Sequence, residues 1–223
     1  MFVAKEEFLR KVGSGVEQIY NTLSGKQPIA LPEFNSHCTA LIVIDMVNGF
    51  VKEGPLSSDN AMAINKPIAR LMQICVTNGM HCVVFADSHT MESPEFEIYP
   101  PHCLNGSAQS FPTEEIAKVG GFTLISKSST NGFLEPAFHQ WLEKHREVFN
   151  FLVVGCCTDI CVQQFALTLK TDFNRRNQPS RVIVPMNLCA TYDGIGHSAV
   201  LADLMSFYNM HLNGIEVTPK IEY

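Results

Sequence analysis

Short apolar runs alternate with helical patterns along most of this chain. A near-continuous apolar run such as TALIVID, residues 39–45, is typical of a strand buried on both faces of a parallel sheet. Regular alternation of strands and helices predicts one α/β domain, with a Rossmann-like open parallel sheet of five to six strands and helices on both faces. The predicted strands cover residues 39–45, 81–87, 122–127, 148–155 and 181–186, with 215–219 as the sixth.

The segments between these strands carry the period of an amphipathic helix. Between Ile68 and Val76, apolar residues recur every three or four positions, which is the spacing of one helical face. Pro67 suits the first position of a helix and Gly79 suits its end, so this helix is predicted to begin at Pro67. The other predicted helices cover residues 136–145, 159–174 and 197–214.

Two parts of the chain lie outside this alternation. Residues 1–37 are predicted to form a helix and a Pro-containing linker, and residues 38–223 to form the α/β domain. The predicted N-terminal helix has an apolar stripe that packs either on its own domain or on a neighbouring chain, and we expect a homo-oligomer. The apolar stripe of this helix consists of Phe2, Val3, Phe8, Leu9 and Val12.

The second part outside the alternation is the loop of residues 88–112. A loop of that length is usually functional.

Composition and charge narrow the class of protein. The chain has 223 residues, 46% hydrophobic and 17% charged, which is typical of a soluble globular protein. A net charge of −6 without a run of Lys or Arg argues against a nucleic-acid partner. No apolar run approaches the roughly 20 residues that span a bilayer, and the first residues do not resemble a signal peptide. We therefore expect a cytoplasmic protein without a membrane partner, whose eight cysteines are free thiols.

Reactive side chains follow several of the predicted strands. Asp45, Asp87 and Lys127 each end an apolar run, and the turn GCCTDIC, residues 155–161, follows another. In an open parallel sheet, ligands bind beyond the carboxyl ends of the strands. We expect the acids, the lysine and a thiol to converge there.

Three motifs at these strand ends resemble one enzyme family. They are DMVNGF at residues 45–50, KSSTNGF at 127–133 and VVGCCTDICV at 153–162. In this order they resemble the isochorismatase-like cysteine hydrolase superfamily and, within it, the nicotinamidases. The third motif matches fully, whereas Val47 and Gly49 depart from the first. The resemblance covers residues from about 39 to 219 and implies a Rossmann-like sheet.

The resemblance also implies a catalytic triad of Asp45, Lys127 and Cys161. In this family the thiolate attacks a carbonyl, the aspartate moves the proton to the leaving amine, and the lysine holds charge beside the thiolate. Backbone N–H groups, here those of Cys157 and Cys161, hold the oxyanion. The resemblance further implies a cis peptide bond between Cys156 and Cys157.

Elementary chemistry separately favours Cys161 among the three neighbouring cysteines. It lies at the predicted start of a helix, where the positive end of the dipole and Lys127 are expected to lower the pKa of a thiol. Asp159 is a good N-cap residue and is assigned to capping. Cys156 and Cys157 precede the cap and are expected to be small thiols of the core. A closed zinc site is disfavoured, because no second cysteine pair completes four ligands.

The long loop carries candidate metal ligands. Together with the end of the preceding strand it provides Asp87, His89, Glu95, Glu97 and His102 within sixteen residues. Two imidazoles with carboxylates suit zinc, iron(II) or manganese. The loop resembles the nicotinamidase loop, which implies that every one of these residues except Glu97 is a ligand. We expect one divalent metal, with zinc preferred.

The implied substrate is a small amide. The resemblance places Phe50 and Tyr99 beside a planar ring and implies deamidation of nicotinamide to nicotinate and ammonia. Three alternatives remain: another amide or carbamoyl hydrolase of the superfamily, a non-catalytic metal-stabilised binding domain, and a thiol redox protein. The last lacks the C-x-x-C spacing of a redox pair.

Overall fold

A parallel sheet forms the centre of the molecule. The computed structural model describes residues 4–223, so Phe2 and Val3 of the predicted apolar stripe lie outside the described residues. The strands are β1 Ile29–Ala30, β2 Thr39–Ile44, β3 His81–Asp87, β4 Thr123–Lys127, β5 Asn150–Cys156, β6 Arg181–Pro185, β7 Cys189–Ala190, β8 Glu216–Thr218 and β9 Ile221–Glu222. The α-helices are α1 Lys5–Ser24, α2 Asn48–Val51, α3 Asp59–Thr77, α4 Glu114–Ala117, α5 Pro136–Lys144, α6 Gln163–Arg175 and α7 Ala199–Leu212.

The main sheet has seven strands, all paired in parallel, in the order β4-β3-β2-β5-β6-β8 with β7 beside β5. The predicted α/β class and parallel sheet are therefore confirmed. The predicted count of five to six strands was low by one, because β7 has only two residues. A strand that short leaves no hydrophobic period in the sequence. Strand β1 and strand β9 form a separate two-stranded sheet.

Both faces of the sheet are buried. All six residues of β2 are buried, and they alternate between two clusters, with Leu41 and Val43 in one and Ala40 and Ile42 in the other. This is the period of two that a strand imposes on its side chains. Helix α3 supplies the first cluster, and α5, α6 and α7 supply the second, so the helices cover the two faces as predicted.

The helix that was predicted to begin at Pro67 starts earlier in the structure. Helix α3 begins at Asp59, and its N-cap Ser58 accepts a hydrogen bond from the backbone N–H of Ala61 at 3.2 Å. Pro67 lies inside the helix instead of at its start. The prediction was wrong because Ser58 is a stronger start signal than an interior proline, which removes one helical hydrogen bond but does not always end the helix.

The N-terminal segment packs on the rest of the chain mainly through its last residues. Leu23 is buried, and Ile29 pairs with Ile221 across β1 and β9. Phe8, Leu9 and Val12 are 45%, 55% and 41% exposed, so the described part of the apolar stripe does not pack on its own domain. Among the helices of residues 4–223, none combines the length and hydropathy needed to cross a bilayer.

The loop of residues 88–112 is tied to the carboxyl edge of the sheet. The N–H of His89 donates to the carbonyl of Cys103 at 3.0 Å, and the N–H of Asn105 donates to the carbonyl of His89 at 2.8 Å. A Cβ at Gly49 would lie 2.5 Å from the Cys103 sulphur. Because Gly49 has no side chain, α2 can approach the loop closely.

Candidate active site

The carboxyl ends of β2, β3 and β4 bring three charged side chains together. Asp87 and Lys127 are register partners across β3 and β4. Asp45 follows β2 with a φ of 54°, a left-handed conformation that Asp adopts more readily than most residues. As expected from the sequence, the three side chains are buried side by side at one edge of the sheet.

The Lys127 ammonium contacts all the other charged and thiol groups of this cluster. Its Nζ lies 2.9 Å from Asp45 Oδ2, 2.7 Å from Asp87 Oδ1 and 3.8 Å from Cys161 Sγ. It also donates to the carbonyl of Ser129 at 3.0 Å. Burial opposes the charge, but Asp45 and Cys161 outweigh it and raise the pKa of Lys127 well above its usual value. Lys127 is therefore an ammonium group at neutral pH.

Asp45 has the properties of a base of moderate strength. Burial raises its pKa to about 6, although Lys127 opposes the shift. Both of its carboxylate oxygens lack a hydrogen-bond partner, so the 2.9 Å contact with Lys127 is an ion pair without hydrogen-bond geometry. A carboxylate that is raised in pKa and not fully paired is suited to accept a proton at neutral pH.

Cys161 lies in a π-helical turn, Thr158–Val162, that precedes α6. Its side chain is nearly buried and borders the largest cavity that we describe. The expected lowering of its pKa was wrong: burial raises the pKa of the thiol well above its usual value, with Lys127 opposing and Asp45 adding to the rise. The resting group is therefore a thiol that needs a base.

The two neighbouring cysteines differ from each other. Cys156 is buried, as expected of a core thiol, and its Sγ donates to the carbonyl of Asp45 at 3.3 Å. Cys157 is half-buried: it packs against the core but also lines the cavity, so the prediction of a core thiol holds only in part for this residue. The predicted cis peptide bond between Cys156 and Cys157 is present. All eight cysteines are free.

Asp159 does not cap the helix. Its Oδ2 accepts a hydrogen bond from His197 Nε2 at 2.8 Å, and His197 Nδ1 donates to the carbonyl of Tyr192 at 2.8 Å. The bond to Asp159 raises the pKa of His197. Sequence analysis missed this pair. Residues 191–198 follow β7 at the same carboxyl edge, and that strand is too short to be recognised in the sequence.

Asp87 also connects the lysine to two histidines. Its Oδ2 lies 2.9 Å from His89 Nε2 and 3.0 Å from His102 Nε2. The burial of Asp87 opposes ionisation, but Lys127 and the two imidazoles outweigh it and lower its pKa. Glu95 is more distant, with Oε2 3.7 Å from His89 Nε2 and Oε1 accepting from the N–H of Thr130 at 2.8 Å.

The donor set fits a divalent metal. Asp87, His89 and His102 offer ligand atoms that all lie within 4.8 Å of one another. His102 Nδ1 donates to the carbonyl of Pro100 at 2.9 Å, which leaves Nε2 as the ring nitrogen that a metal would take. Burial lowers the pKa of His102, but the hydrogen bond between Nε2 and Asp87 outweighs it and raises the pKa, so a bound ion would replace a proton on Nε2. A carbonyl behind the ligating ring is typical of metal-binding histidines.

A cavity of about 790 Å³ opens above these groups. Phe50 and Tyr99 line it, with ring centroids 5.5 Å and 6.2 Å from that of His102. Asn60, Tyr192 and Asp193 line it as well. No motif had indicated these three residues, because they come from the start of α3 and from the segment after the unforeseen strand β7.

Comparisons with known proteins agree with this architecture. The chain is 29% identical over 232 residues to nicotinamidase 1 of Arabidopsis thaliana, covering 89% of this chain and 91% of that protein. The structure of nicotinamidase PncA from Bacillus subtilis matches with a TM-score of 0.68 and 26% identity, over 81% of this chain and 99% of that one. N-carbamoylsarcosine amidase from Thermoplasma acidophilum matches with a TM-score of 0.66 and 26% identity, over 81% and 95% of the two chains.

The family model agrees with the motifs, the sheet and these relatives. The isochorismatase domain model matches residues 39–215, which include Asp45, Asp87, Lys127 and Cys161. With this match extending from the start of β2 to the end of α7, the chain belongs to the isochorismatase family.

Proposed function

We propose that this protein is a cysteine-dependent amide hydrolase that converts nicotinamide and water to nicotinate and ammonia. The observation that carries the proposal is the position of Lys127. One ammonium group contacts the candidate base Asp45, the candidate nucleophile Cys161 and the candidate metal ligand Asp87. The candidate nucleophile, base and metal ligand are therefore close enough together to act on one substrate molecule.

In the first half-reaction Asp45 removes the proton of the Cys161 thiol, and the thiolate attacks the carboxamide carbon. The raised pKa of Asp45 makes it a stronger base than an ordinary carboxylate, which suits transfer from a thiol whose pKa burial raises. Lys127 stabilises the thiolate. Asp45 then delivers the proton to the amine, ammonia leaves, and a thioester to Cys161 remains.

In the second half-reaction water hydrolyses the thioester. Asp45 takes a proton from the water and returns it to the sulphur of Cys161. In both halves the developing oxyanion is held by the backbone N–H groups of Cys157 and Cys161. One such donor typically contributes about 3 kcal/mol of transition-state stabilisation.

Substrate recognition is assigned to the other groups of the cavity. Phe50 and Tyr99 provide flat apolar surfaces for an aromatic ring. A divalent ion, which we propose to be zinc with iron or manganese as alternatives, would be held by Asp87, His89 and His102 with Glu95 as a further ligand. When bound, it would supply a Lewis-acid contact for a ring nitrogen. Holding the ring at both points keeps the carboxamide over the thiol, which removes orientational freedom.

The proposal is tested by comparing kcat/KM for nicotinamide and benzamide on the same metal-loaded preparation, with released ammonia as the readout. Benzamide has the same shape and lacks the ring nitrogen, so we expect a much lower value. Pyrazinamide has a nitrogen at the same place and should be turned over. Equal kcat/KM values for nicotinamide and benzamide would show that the ring nitrogen does not contribute to substrate recognition.

A carbamoyl compound is the second candidate substrate. It is supported by the 26% identity to an N-carbamoylsarcosine amidase. The same ammonia assay with N-carbamoylsarcosine separates the two. Turnover of that compound without turnover of nicotinamide would replace the first assignment and keep the roles of Cys161 and Asp45.

A further inference from the structure

A second group of metal-binding side chains lies at the opposite edge of the sheet. His81 is the first residue of β3, whereas His145 and Glu147 lie between α5 and β5. The three offer ligand atoms that all lie within 4.8 Å of one another. Glu147 Oε1 is 3.4 Å from His145 Nδ1 and 3.7 Å from His81 Nε2. This group, named the amino-edge cluster below, belongs to no part of the proposed reaction.

One of its atoms lacks a hydrogen-bond partner. His81 Nε2 is buried and unpaired, because the 3.7 Å to Glu147 is too long for a hydrogen bond. A buried polar atom without a partner is costly, and a bound cation would satisfy it.

The cluster is also open to water. The side chains of His81, His145 and Glu147 are 26%, 28% and 32% exposed, so water can complete the coordination of an ion. Two imidazole nitrogens and one carboxylate oxygen suit zinc, nickel and copper, whereas magnesium and calcium prefer oxygen ligands alone.

We propose that the amino-edge cluster is a second site for a divalent transition metal, independent of the cavity. Bound there, the ion joins the start of β3 to the connection between α5 and β5, which are distant in sequence. It therefore stabilises the folded chain, since the unfolded chain does not keep these ligands together. The ends of β3 are about 20 Å apart, at 3.3 Å per residue, which separates this site from Asp87.

Tryptophan fluorescence can report whether an ion is bound at this site. Its single tryptophan, Trp141, has its ring centroid 4.5 Å from that of His145 and 5.9 Å from that of His81. A paramagnetic ion such as Ni²⁺ bound at the cluster quenches Trp141 fluorescence, whereas an ion in the cavity is much farther away.

The experiment titrates Ni²⁺ into wild type, His145→Gln and His139→Gln at constant pH and follows Trp141 fluorescence. His139 is an exposed histidine of α5, the helix that ends just before His145, and it does not belong to the cluster, so its variant is a matched control. We expect saturable quenching in wild type and His139→Gln, and at least tenfold weaker apparent affinity in His145→Gln. Identical curves for wild type and His145→Gln, or quenching that never saturates, would overturn the site.

Thermal unfolding in the presence of Zn²⁺ gives a second measurement. Zn²⁺ should raise the Tm of wild type more than that of Glu147→Gln, and without metal the two proteins should unfold at similar temperatures. An equal rise in both proteins would show that the ion binds elsewhere and would contradict the proposal.

Discussion

At the scale of single residues, Lys127 shows how a charge is kept in the interior. A buried ammonium group loses its hydration, and only paired partners make the loss tolerable. Here the partners are Asp45 and Asp87, at 2.9 Å and 2.7 Å. Each carboxylate pairs with the same lysine but has different neighbours, so their pKa values move in opposite directions. Such divergence is typical of sites with assigned acid and base roles.

Replacing Cys161 by alanine should abolish ammonia release and leave the fold intact. The proposed reaction has no other nucleophile in contact with Lys127, and the removed side chain is small. Steady-state activity and the far-UV circular dichroism spectrum test both parts. Cys157→Ala is the control, because it removes a cavity thiol while keeping the backbone N–H, and it should retain most activity. Near-normal turnover by Cys161→Ala would end the assignment of the nucleophile.

The pH dependence of kcat/KM should show an acid limb near pH 6. Asp45 has to be ionised to accept the thiol proton, and its pKa is raised to about 6. Below that pH the carboxyl is protonated, so kcat/KM should fall about tenfold for each further pH unit. Measuring ammonia release between pH 4.5 and about 8 tests this expectation. A profile that stays flat down to pH 4.5 would show that Asp45 does not act as the base.

At the scale of elements, the approach of β2 to β5 depends on one glycine. Gly155 has a φ of 124°, and a Cβ there would lie 2.0 Å from the carbonyl oxygen of Ile44. Strand β5 cannot move away without breaking its ladder with β2. The same strand leads into the turn that carries Cys161, so the close packing at Gly155 also affects where Cys161 lies.

Gly155→Ala should therefore destabilise the protein strongly, by about 3 kcal/mol or more, because both the clash and the φ are unfavourable. Urea unfolding measures the change. Gly13→Ala is the control, since Gly13 lies in α1 with nothing within 4 Å of its added Cβ. That change should be neutral or stabilise by up to about 1 kcal/mol. An unaltered midpoint for Gly155→Ala would contradict the close approach of the two strands.

How far the sequence predicted each element depended on its length and burial. Strands β2, β3 and β5 are long and mostly apolar, so their carboxyl ends and the residues after them could be located from the pattern alone. Strand β7 has two residues, and the pairing of Asp159 with His197 joins segments 38 positions apart. Such contacts leave no periodic trace. The wrong direction for the thiol pKa has a similar cause, because burial is a property of the packed chain.

At the scale of the whole molecule, the N-terminal segment packs on α7, and none of residues 4–37 lines the cavity. We propose that residues 1–37 are an extension and that residues 38–223 form the catalytic domain. Leu23 belongs to the same buried cluster as Phe207 and Met210 of α7, while Phe8 and Leu9 face solvent. The extension thus contributes to stability through its last turn.

Deleting residues 1–24 should lower the free energy of unfolding by about 2 kcal/mol, the scale of one buried leucine, and leave kcat/KM unchanged. Leu23→Ala should reproduce most of the loss in urea unfolding. Leu9→Ala, at a side chain 55% exposed, should change the stability by less than about 0.5 kcal/mol. A deletion variant that folds but has lost activity would contradict the proposed domain boundary.

Strand β3 also sets the distance between the two proposed metal sites. His81 and Asp87 are its first and last residues, and a paired central strand hardly changes in length, so ions placed at its two ends would be held about 20 Å apart. Two paramagnetic ions at that separation have a dipolar coupling that pulsed electron spin resonance resolves as one narrow distance. Occupancy of both ends could then be counted in a single spectrum, without attaching any label to the eight cysteines.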